Sequence, residues 1–380
     1  MGERVLVAMS GGVDSSVAAA LLVEQGYEVM GVTMQVWPDL SPAEEARRGG
    51  CCSISAVNDA RHVADLLDIP YYVLNMQETF ERSVIDYFID EYAAGRTPNP
   101  CVACNRHVKF DALLRKAREL GCRYVATGHY ARVEQDPETG RYLLYNSADA
   151  GKDQTYALCQ LTQDQLRHIL FPVGGYTKPE VRRLAFQRGL PTAAKPDSQE
   201  ICFVLDNDYG AFIESRAPHT VQPGPIYDTA GNRLGTHRGL PHYTVGQRRG
   251  LGITAGRPLY VVALKPEENA LIVGTADQVQ SAGLVAEGVN WIPYDRPPGP
   301  VTAQVKIRYR AEGAPAVIYP QPDGTAVVAF QEPQRAVTPG QTAAFYDGDL
   351  VLGGGTIRRA LTLSELQRRA YARDDFGTTI

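Results

Sequence analysis

The chain opens on an unbroken apolar run within Arg4 to Met9, then a stretch from Val13 to Gln25 whose apolar positions recur at helical spacing, then Gly26. A short apolar run predicts a buried strand, and the spacing behind it predicts a helix closed by glycine. The alternation continues with a strand at Glu28 to Trp37, a helix at Ser53 to Leu67, a strand at Tyr71 to Met76, helices at Glu78 to Ala94 and Phe110 to Leu120 (stopped by Gly121), and a strand at Tyr124 to Thr127. Such alternation predicts a doubly wound parallel α/β sheet, whose ligand belongs at the carboxyl ends of the strands. From residue 216 onward the apolar runs are short and cut by Gly, Pro, Asn and Asp, a pattern of strands and hairpins. Runs at Val301 to Arg310, Ala316 to Tyr319, Thr325 to Phe330 and Gln341 to Leu352 predict a small β-barrel, with the Pro-rich WIPYDRPPGP before it read as a linker and helical spacing returning after Ala360. The expected division is an α/β domain over 1–215, a β-rich central domain over 216–280, a C-terminal β-barrel domain over 281–365 and a tail over 366–380.

Composition narrows the class. With 380 residues, 44% apolar and 21% charged, the chain is expected to fold as two or three ordinary globular domains. No stretch approaches the roughly 18 uncharged apolar residues of a membrane span, and the apolar start is too short and too strand-like for a signal peptide, so a cytoplasmic protein with no membrane partner is expected. All seven cysteines (51, 52, 101, 104, 122, 159 and 202) lie in the first 202 residues. An odd count confined to one half argues against a secreted disulfide framework and for chemistry or metal.

The formal net charge of −5 means that a nucleic-acid partner has to be held by a local basic surface. One candidate exists. Between Thr229 and Pro266 there is no Asp or Glu, while Arg233, Arg238, Arg248, Arg249, Arg257 and Lys265 occur with His237 and His242. Tyr243 is suited to stacking there, and the glycines at 246, 250 and 252 give the run flexibility. The competing reading is a solvated loop.

Directly behind the first predicted strand stands Ser10-Gly11-Gly12-Val13-Asp14-Ser15-Ser16, and directly behind that the first helix. Glycines let the backbone turn and expose N–H groups, serine hydroxyls add donors, and a helix N-terminus brings partial positive charge, so the turn suits an anion such as phosphate. The lysine of an ordinary P-loop is missing, which counts against γ-phosphate transfer. SGGVDSS resembles the pyrophosphatase loop of enzymes that cleave ATP between its α and β phosphates to adenylate a carbonyl oxygen. That group includes tRNA sulfur transferases, argininosuccinate synthetase and amidating nucleotide synthetases, and the loop alone does not choose among them.

A second motif, Thr97-Pro98-Asn99-Pro100-Cys101-Val102-Ala103-Cys104-Asn105, joins two predicted helices through a segment in which two prolines oppose a regular helix. Its cysteines are therefore expected on a shaped loop. Cys202 follows a polar run in Asp197-Ser198-Gln199-Glu200-Ile201-Cys202-Phe203. Cys122 and Cys159 read as small buried hydrophobes, while Cys51 and Cys52 fit either reading. A lone CxxC can hold zinc or redox sulfur, but here it lacks the second pair of a structural zinc site.

Together SGGVDSS, TPNPCVACN, ATGHYA, KDQTY, SQEICF and the late IRYR resemble one family along most of the chain, the tRNA-specific 2-thiouridylases. The resemblance implies ATP-dependent formation of 2-thiouridine at the wobble position of the lysine, glutamate and glutamine tRNAs. It implies that Cys202 carries a persulfide and Cys104 is the nucleophile, with a disulfide between them at one stage. The ATP site falls on Ala8, Met9, Ser10, Gly11, Gly12, Val13, Asp14 and Ser15, with Met34 at the adenine, Gly128 as a second contact, and Mg²⁺ near Asp14. Asn99, Pro100 and Cys101 match the target-base contact, and His129, Lys152, Asp153, Gln154, Arg308, Tyr309 and Gln341 match tRNA contacts. Each also has a plain reading: Lys152 as a solvated charge, His129 as a core residue, Arg308 as a strand residue facing water. The partners implied are tRNA and a persulfide donor, either a relay protein or a desulfurase. At Cys101 the sequence departs from family members that carry Asp, which opens two roles: a proton donor or spacer, or a third thiolate in an iron–sulfur-dependent tRNA thiolase. The other alternative is a synthetase of the same fold that adenylates a different carbonyl substrate.

Overall fold

The computed structural model describes residues 2–37, 54–197, 201–204 and 208–371. Cys51, Cys52, Ser198, Gln199, Glu200 and the end of the tail lie outside the described residues. The chain divides into two compact units, one of Met1–Asp86, Pro100–Asn207 and Asp349–Val351, the other of Tyr87–Asn99, Asp208–Gly348 and Leu352–Ile380.

The first unit is built on a parallel sheet of β1 (Arg4–Ala8), β2 (Glu28–Gln35), β3 (Tyr71–Asn75), β4 (Tyr124–Ala126) and, beyond a hairpin of β5 (Arg132–Gln135) and β6 (Tyr142–Tyr145), β7 (Ile169–Leu170). The order across the sheet is β3-β2-β1-β4-β7, all pairs parallel. Val5, Leu6 and Val7 of β1 are wholly buried, as expected for a central strand covered on both faces. The helix Val13–Glu24 is apolar on nearly every side, and Val17, Ala18 and Ala19 pack in the same core as β1. It ends where Gly26 takes φ +83°, the left-handed cap that a Cβ disfavours. The sense of winding reverses between β1 and β4, which puts the ligand crevice at their carboxyl ends.

One expectation fails instructively. The segment from Pro100 is helical: Pro100–Ala103 leads into a π-helical stretch, Cys104–Ala112, and then the helix Leu113–Glu119. Proline opposes a helix interior but suits its first turn, where its missing N–H has no partner to lose. Cys101 and Cys104 are thus helix residues and not loop residues.

In the second unit β8 (Gly224–Asp228), β9 (Arg233–His237), β10 (Tyr260–Lys265) and β11 (Ala270–Gly274) form a sheet of order β10-β11-β8-β9. Behind it come β12 (Gln280–Trp291), β13 (Val301–Lys306), β14 (Ala314–Pro320), β15 (Ala326–Arg335), β16 (Thr342–Asp347) and β17 (Leu350–Leu361). These run β12-β15-β14-β13-β16-β17, and β17 pairs back onto β12, so the six strands close into a barrel. The Pro-rich stretch at 291–300 is consequently no linker but the connection between two barrel strands, with Ile292 fully buried and its N–H donating to the Leu352 carbonyl. The run Gln341 to Leu352, expected as one strand, is a hairpin that turns at Gly348, φ +55°.

Candidate active site

The Ser10–Ser16 loop lies at the carboxyl end of β1, where the winding rule puts a ligand. Gly11 has φ +67°, and a Cβ there would come 2.2 Å from the Ala56 carbonyl oxygen, so only glycine fits. The serine hydroxyls brace the turn: Ser15 Oγ and Ser16 Oγ donate to Gly12 O at 3.1 and 2.9 Å, and the Ser10 N–H donates to Ser15 Oγ at 3.1 Å. Gly128, just past β4, packs on the same loop, and a Cβ there would lie 2.6 Å from Asp14 C and Ser15 N. Met34 stands half-buried near the end of β2, paired with Leu74 of β3. Ala8 and Met9 connect β1 to the loop, and the Met9 carbonyl accepts from Thr33 Oγ1 at 2.6 Å.

Asp14 is the most heavily engaged member. Lys178 Nζ donates to its two carboxylate oxygens at 2.7 and 2.8 Å, and Tyr130 Oη donates to Oδ1 at 2.8 Å. Burial, reinforced by the neighbouring carboxylate of Asp14, pushes the Tyr130 hydroxyl far above its ordinary range, so it remains a donor. Lys178 also pairs with Asp197 at 2.8 Å, and Asp197 takes Lys152 and Arg182 at 2.8 and 3.0 Å. Burial alone would raise the Asp197 pKa, but the hydrogen bonds from Lys152 and Lys178 prevail and hold it at about 2. Lys195 Nζ donates to Gly11 O at 3.0 Å and to Asp59 at 2.6 Å. Lys178 and Lys195 carry no motif in the sequence that marks them as members of this site, while Tyr130 and Asp197 stand inside ATGHYA and the run before Cys202 with no role assigned to them there.

This arrangement suits a nucleotide's phosphates better than a metal. Donors, a helix N-terminus and lysines face one loop. Asp14, the carboxylate expected beside Mg²⁺, is already engaged by the Lys178 ammonium on both oxygens and by the Tyr130 hydroxyl. The side chains present do not fit Asp14 as a Mg²⁺ ligand.

The described cysteines carry thiols, with Cys101 and Cys202 exposed, Cys104 half-buried, and Cys122 and Cys159 buried. Burial raises the Cys159 thiol to about 12 and also raises Cys122, which suppresses the thiolate that sulfur chemistry needs. Those two are core residues, as expected. Cys202 is flanked by Phe203, which is buried against Trp37 and Phe80 at ring separations of 6.4 and 5.9 Å. That packing fixes the chain beside an exposed sulfur. Beside Cys104, Asn105 is buried with Nδ2 donating to the Ala157 carbonyl at 3.1 Å.

The remaining candidates fall in varied settings. Gln154 Oε1 accepts from the Tyr130 N–H at 2.9 Å, and Asp153 accepts from the N–H groups of Ser147 and Thr155 at 2.8 and 3.1 Å. Lys152, far from being a solvated charge, is the partner of Asp197. His129 is buried among Phe110 and Phe171, and burial together with Lys109 drives its pKa well below normal. In the described structure the ring lies in the interior. In the second unit Gln341 Nε2 donates to the carbonyls of Thr97 and Pro98 at 2.8 and 3.2 Å, bracing the chain ahead of Asn99. Arg308 and Tyr309 are exposed in the turn after β13 and not on the strand itself, with Arg308 Nη2 donating to the Arg335 carbonyl at 2.6 Å.

The basic run needs correction in part. Arg233, Arg238, Arg248, Arg249, Arg257 and Lys265 are exposed. Tyr243, expected to stack, is instead 3% exposed in the core with Ile226, Leu251 and Val261. His237 is equally buried, its pKa lowered by burial. Rings in such a small domain are drawn into its core because little else is large enough to fill it.

A family model described as a tRNA methyl transferase HUP domain matches residues 3–206, and companion models described as a PRC-barrel domain and an aminomethyltransferase β-barrel domain match 210–275 and 281–357. A curated protein of Acetivibrio thermocellus named tRNA-specific 2-thiouridylase MnmA is 57% identical over 94% of this chain and 99% of its own length. The chain belongs to the tRNA-specific 2-thiouridylase family. Proteins of the same name from Heliobacterium modesticaldum and Symbiobacterium thermophilum are 58% and 59% identical over 96% and 95% of this chain, and 94% and 93% of theirs. The methyl transfer in the first model's label is not the activity in the names of these full-length thiouridylase relatives. Among the described residues no helix is long and apolar enough to cross a membrane.

Proposed function

We propose that this chain is a cytoplasmic tRNA-uridine 2-sulfurtransferase that converts the wobble uridine of lysine, glutamate and glutamine tRNAs to 2-thiouridine at the expense of ATP. The observation that carries the reading is one unit of fold that holds both an anion loop at the sheet's switch point and two solvent-reachable thiols on separate segments, Cys104 and Cys202. The C2 carbonyl of uracil is urea-like, a weak electrophile with a poor leaving group. Attack of its oxygen on the α-phosphate releases pyrophosphate and makes that oxygen part of an AMP leaving group.

The chain's own residues then divide the work. Ser10 to Ser15 and Gly128 hold the phosphates, and Met34 borders the adenine. Asn99 to Cys101, at the start of the cysteine helix, meet the base, with Gln341 bracing the approach. Cys202 receives sulfur as a persulfide from an external donor. Cys104 attacks the Cys202 sulfur, forming a Cys104–Cys202 disulfide and freeing hydrosulfide, which adds to C2 as AMP departs. An external reductant reopens the disulfide. The exposed arginines between 233 and 257, with Arg308 and Tyr309, contact the tRNA backbone, and a wobble base in a single-stranded loop is splayed out at little unstacking cost.

The test is mass spectrometry of nucleosides from unmodified tRNA incubated with protein, ATP, Mg²⁺ and a persulfide donor. 2-Thiouridine at the wobble position is expected. AMP formation that is indifferent to tRNA would point to a synthetase of the same fold.

A further inference from the structure

In the second unit the last residue of β15 is Arg335, and the next, Ala336, takes φ +54° while only 4% exposed. A left-handed alanine persists only where its surroundings hold it, and here they do. The Ala336 N–H donates to the Val279 carbonyl at 2.9 Å, and the Ala336 Cβ occupies the space a side chain on Gly246 would need, 2.5 Å from where that Cβ would stand. Gly246 in turn donates its N–H to the Val261 carbonyl at 2.8 Å. The end of β15 is thereby tied to the start of β10 and to the loop that carries Arg248 and Arg249, two and three residues past Gly246. At this kink the Arg335 side chain is exposed, its guanidinium carbon 4.4 Å from the centre of the Tyr260 ring. The Arg335 carbonyl accepts from Arg308, so basic segments far apart in sequence meet at one residue.

No acid neutralises them. Glu312 and Glu332 are exposed on the same segments, yet among the described residues no carboxylate lies within ion-pair distance of Arg308 or Arg335. The Arg335 guanidinium also donates no hydrogen bond to another described residue. A guanidinium held against an aromatic face has given up rotamer freedom in advance, while its N–H donors stay available for a bidentate bond to phosphate oxygens. We propose that Arg335 is a further tRNA-contacting residue that binds a backbone phosphate beside Arg308, and that Tyr260 is the positioning residue that holds its guanidinium. The inference rests on the reading of Arg308 and Tyr309 as a tRNA contact. Two cations brought together without a carboxylate repel until an anion joins them, and the polyanion of the proposed reaction is tRNA.

Fluorescence anisotropy of labelled, unmodified lysine tRNA with the full chain across a salt series tests this, with circular dichroism melts to confirm folding. Arg335→Gln is expected to weaken binding about three- to tenfold and to flatten the salt dependence by about one contact charge. Arg335→Lys keeps the charge without the planar fork, so the wild-type salt slope should return with only part of the affinity. Tyr260→Leu should weaken binding about two- to fivefold at an unchanged slope, because the charge remains and its aim is lost, while Tyr260→Phe stays within about twofold of wild type. Arg308→Gln is the reference and should also flatten the slope by about one contact charge. If Arg308→Gln does so and Arg335→Gln leaves the slope at the wild-type value, Arg335 only packs the two β domains together and the proposal is overturned. Wild-type affinity in Tyr260→Leu overturns the positioning role. Wild-type slopes in both arginine variants sink the reading of this turn as a tRNA contact, and the proposal with it.

Discussion

The two units treat positive charge in opposite ways. In the first, Lys152, Lys178 and Arg182 converge on Asp197 in fixed, partly buried geometry, with Lys178 itself withdrawn from water, and the result is an Asp197 carboxyl that stays ionised down to about pH 2. In the second, Arg238, Arg248 and Arg249 stand exposed in a stretch without a single acidic residue. Buried pairs work through fixed geometry and feel little of the surrounding salt, whereas exposed cations work through a field that salt screens within about 8–10 Å. The first arrangement suits a ligand that must be oriented to a fraction of an ångström, the second a polyanion that must first be captured.

The comparison breaks most sharply at the sulfur residues. Cys104→Ser and Cys202→Ser are each expected to abolish 2-thiouridine formation, a loss of about a thousandfold or more by nucleoside mass spectrometry, while tRNA affinity stays near wild type. Only Cys202→Ser should fail to take up persulfide sulfur. A persulfide on Cys104 of wild-type protein reverses the two roles.

Next in size is Gly128→Ala. The added methyl meets loop backbone, which cannot yield as a flexible side chain does, so ATP-to-AMP turnover should fall about a hundredfold, as a misplacement of about 1 Å typically does. Turnover within twofold of wild type removes Gly128 from the site. On the other unit, neutralising Arg248 and Arg249 together should weaken cognate tRNAs by roughly tenfold and flatten the salt dependence by about one to two contact charges. An unchanged slope returns those arginines to the solvated-loop reading.

The smallest effect is in acid. Burial holds His129 and His237 below the ordinary histidine pKa of 6.5 in the folded chain. As pH falls through about 6.5 the unfolded chain binds protons that the folded one refuses, so stability is full above that value and declines beneath it. Between pH 7.5 and 5.5 each histidine therefore contributes a loss of stability, read as a falling melting temperature. A flat melting curve over that range contradicts the assignment of buried neutral rings.

What the sequence discloses follows how local each feature is. The Ser10–Ser16 loop is legible because strand, turn and helix are contiguous, and Cys122 and Cys159 because isolated cysteines are usually buried. Lys178 is illegible: nothing near it refers to a loop 164 residues away. Pro100 misleads because the same residue breaks a helix interior and begins a helix well, and only the chain's path decides which. Strand β12 escapes because glycines at 283 and 288 interrupt its apolar run, and Tyr243 because a surface tyrosine and a core tyrosine look alike in a basic neighbourhood.

The closed barrel has a consequence for how this protein can vary through descent. Its ladder has no open end among the six strands, so cohesion does not depend on the turn at 308–312, where Arg308 and Tyr309 sit. Insertions, deletions and charge changes can accumulate in such a turn while the strands keep their register. A saturation-mutagenesis survey should find it permissive for folding yet selective for the RNA substrate, a place where substrate preference can drift without the scaffold having to change.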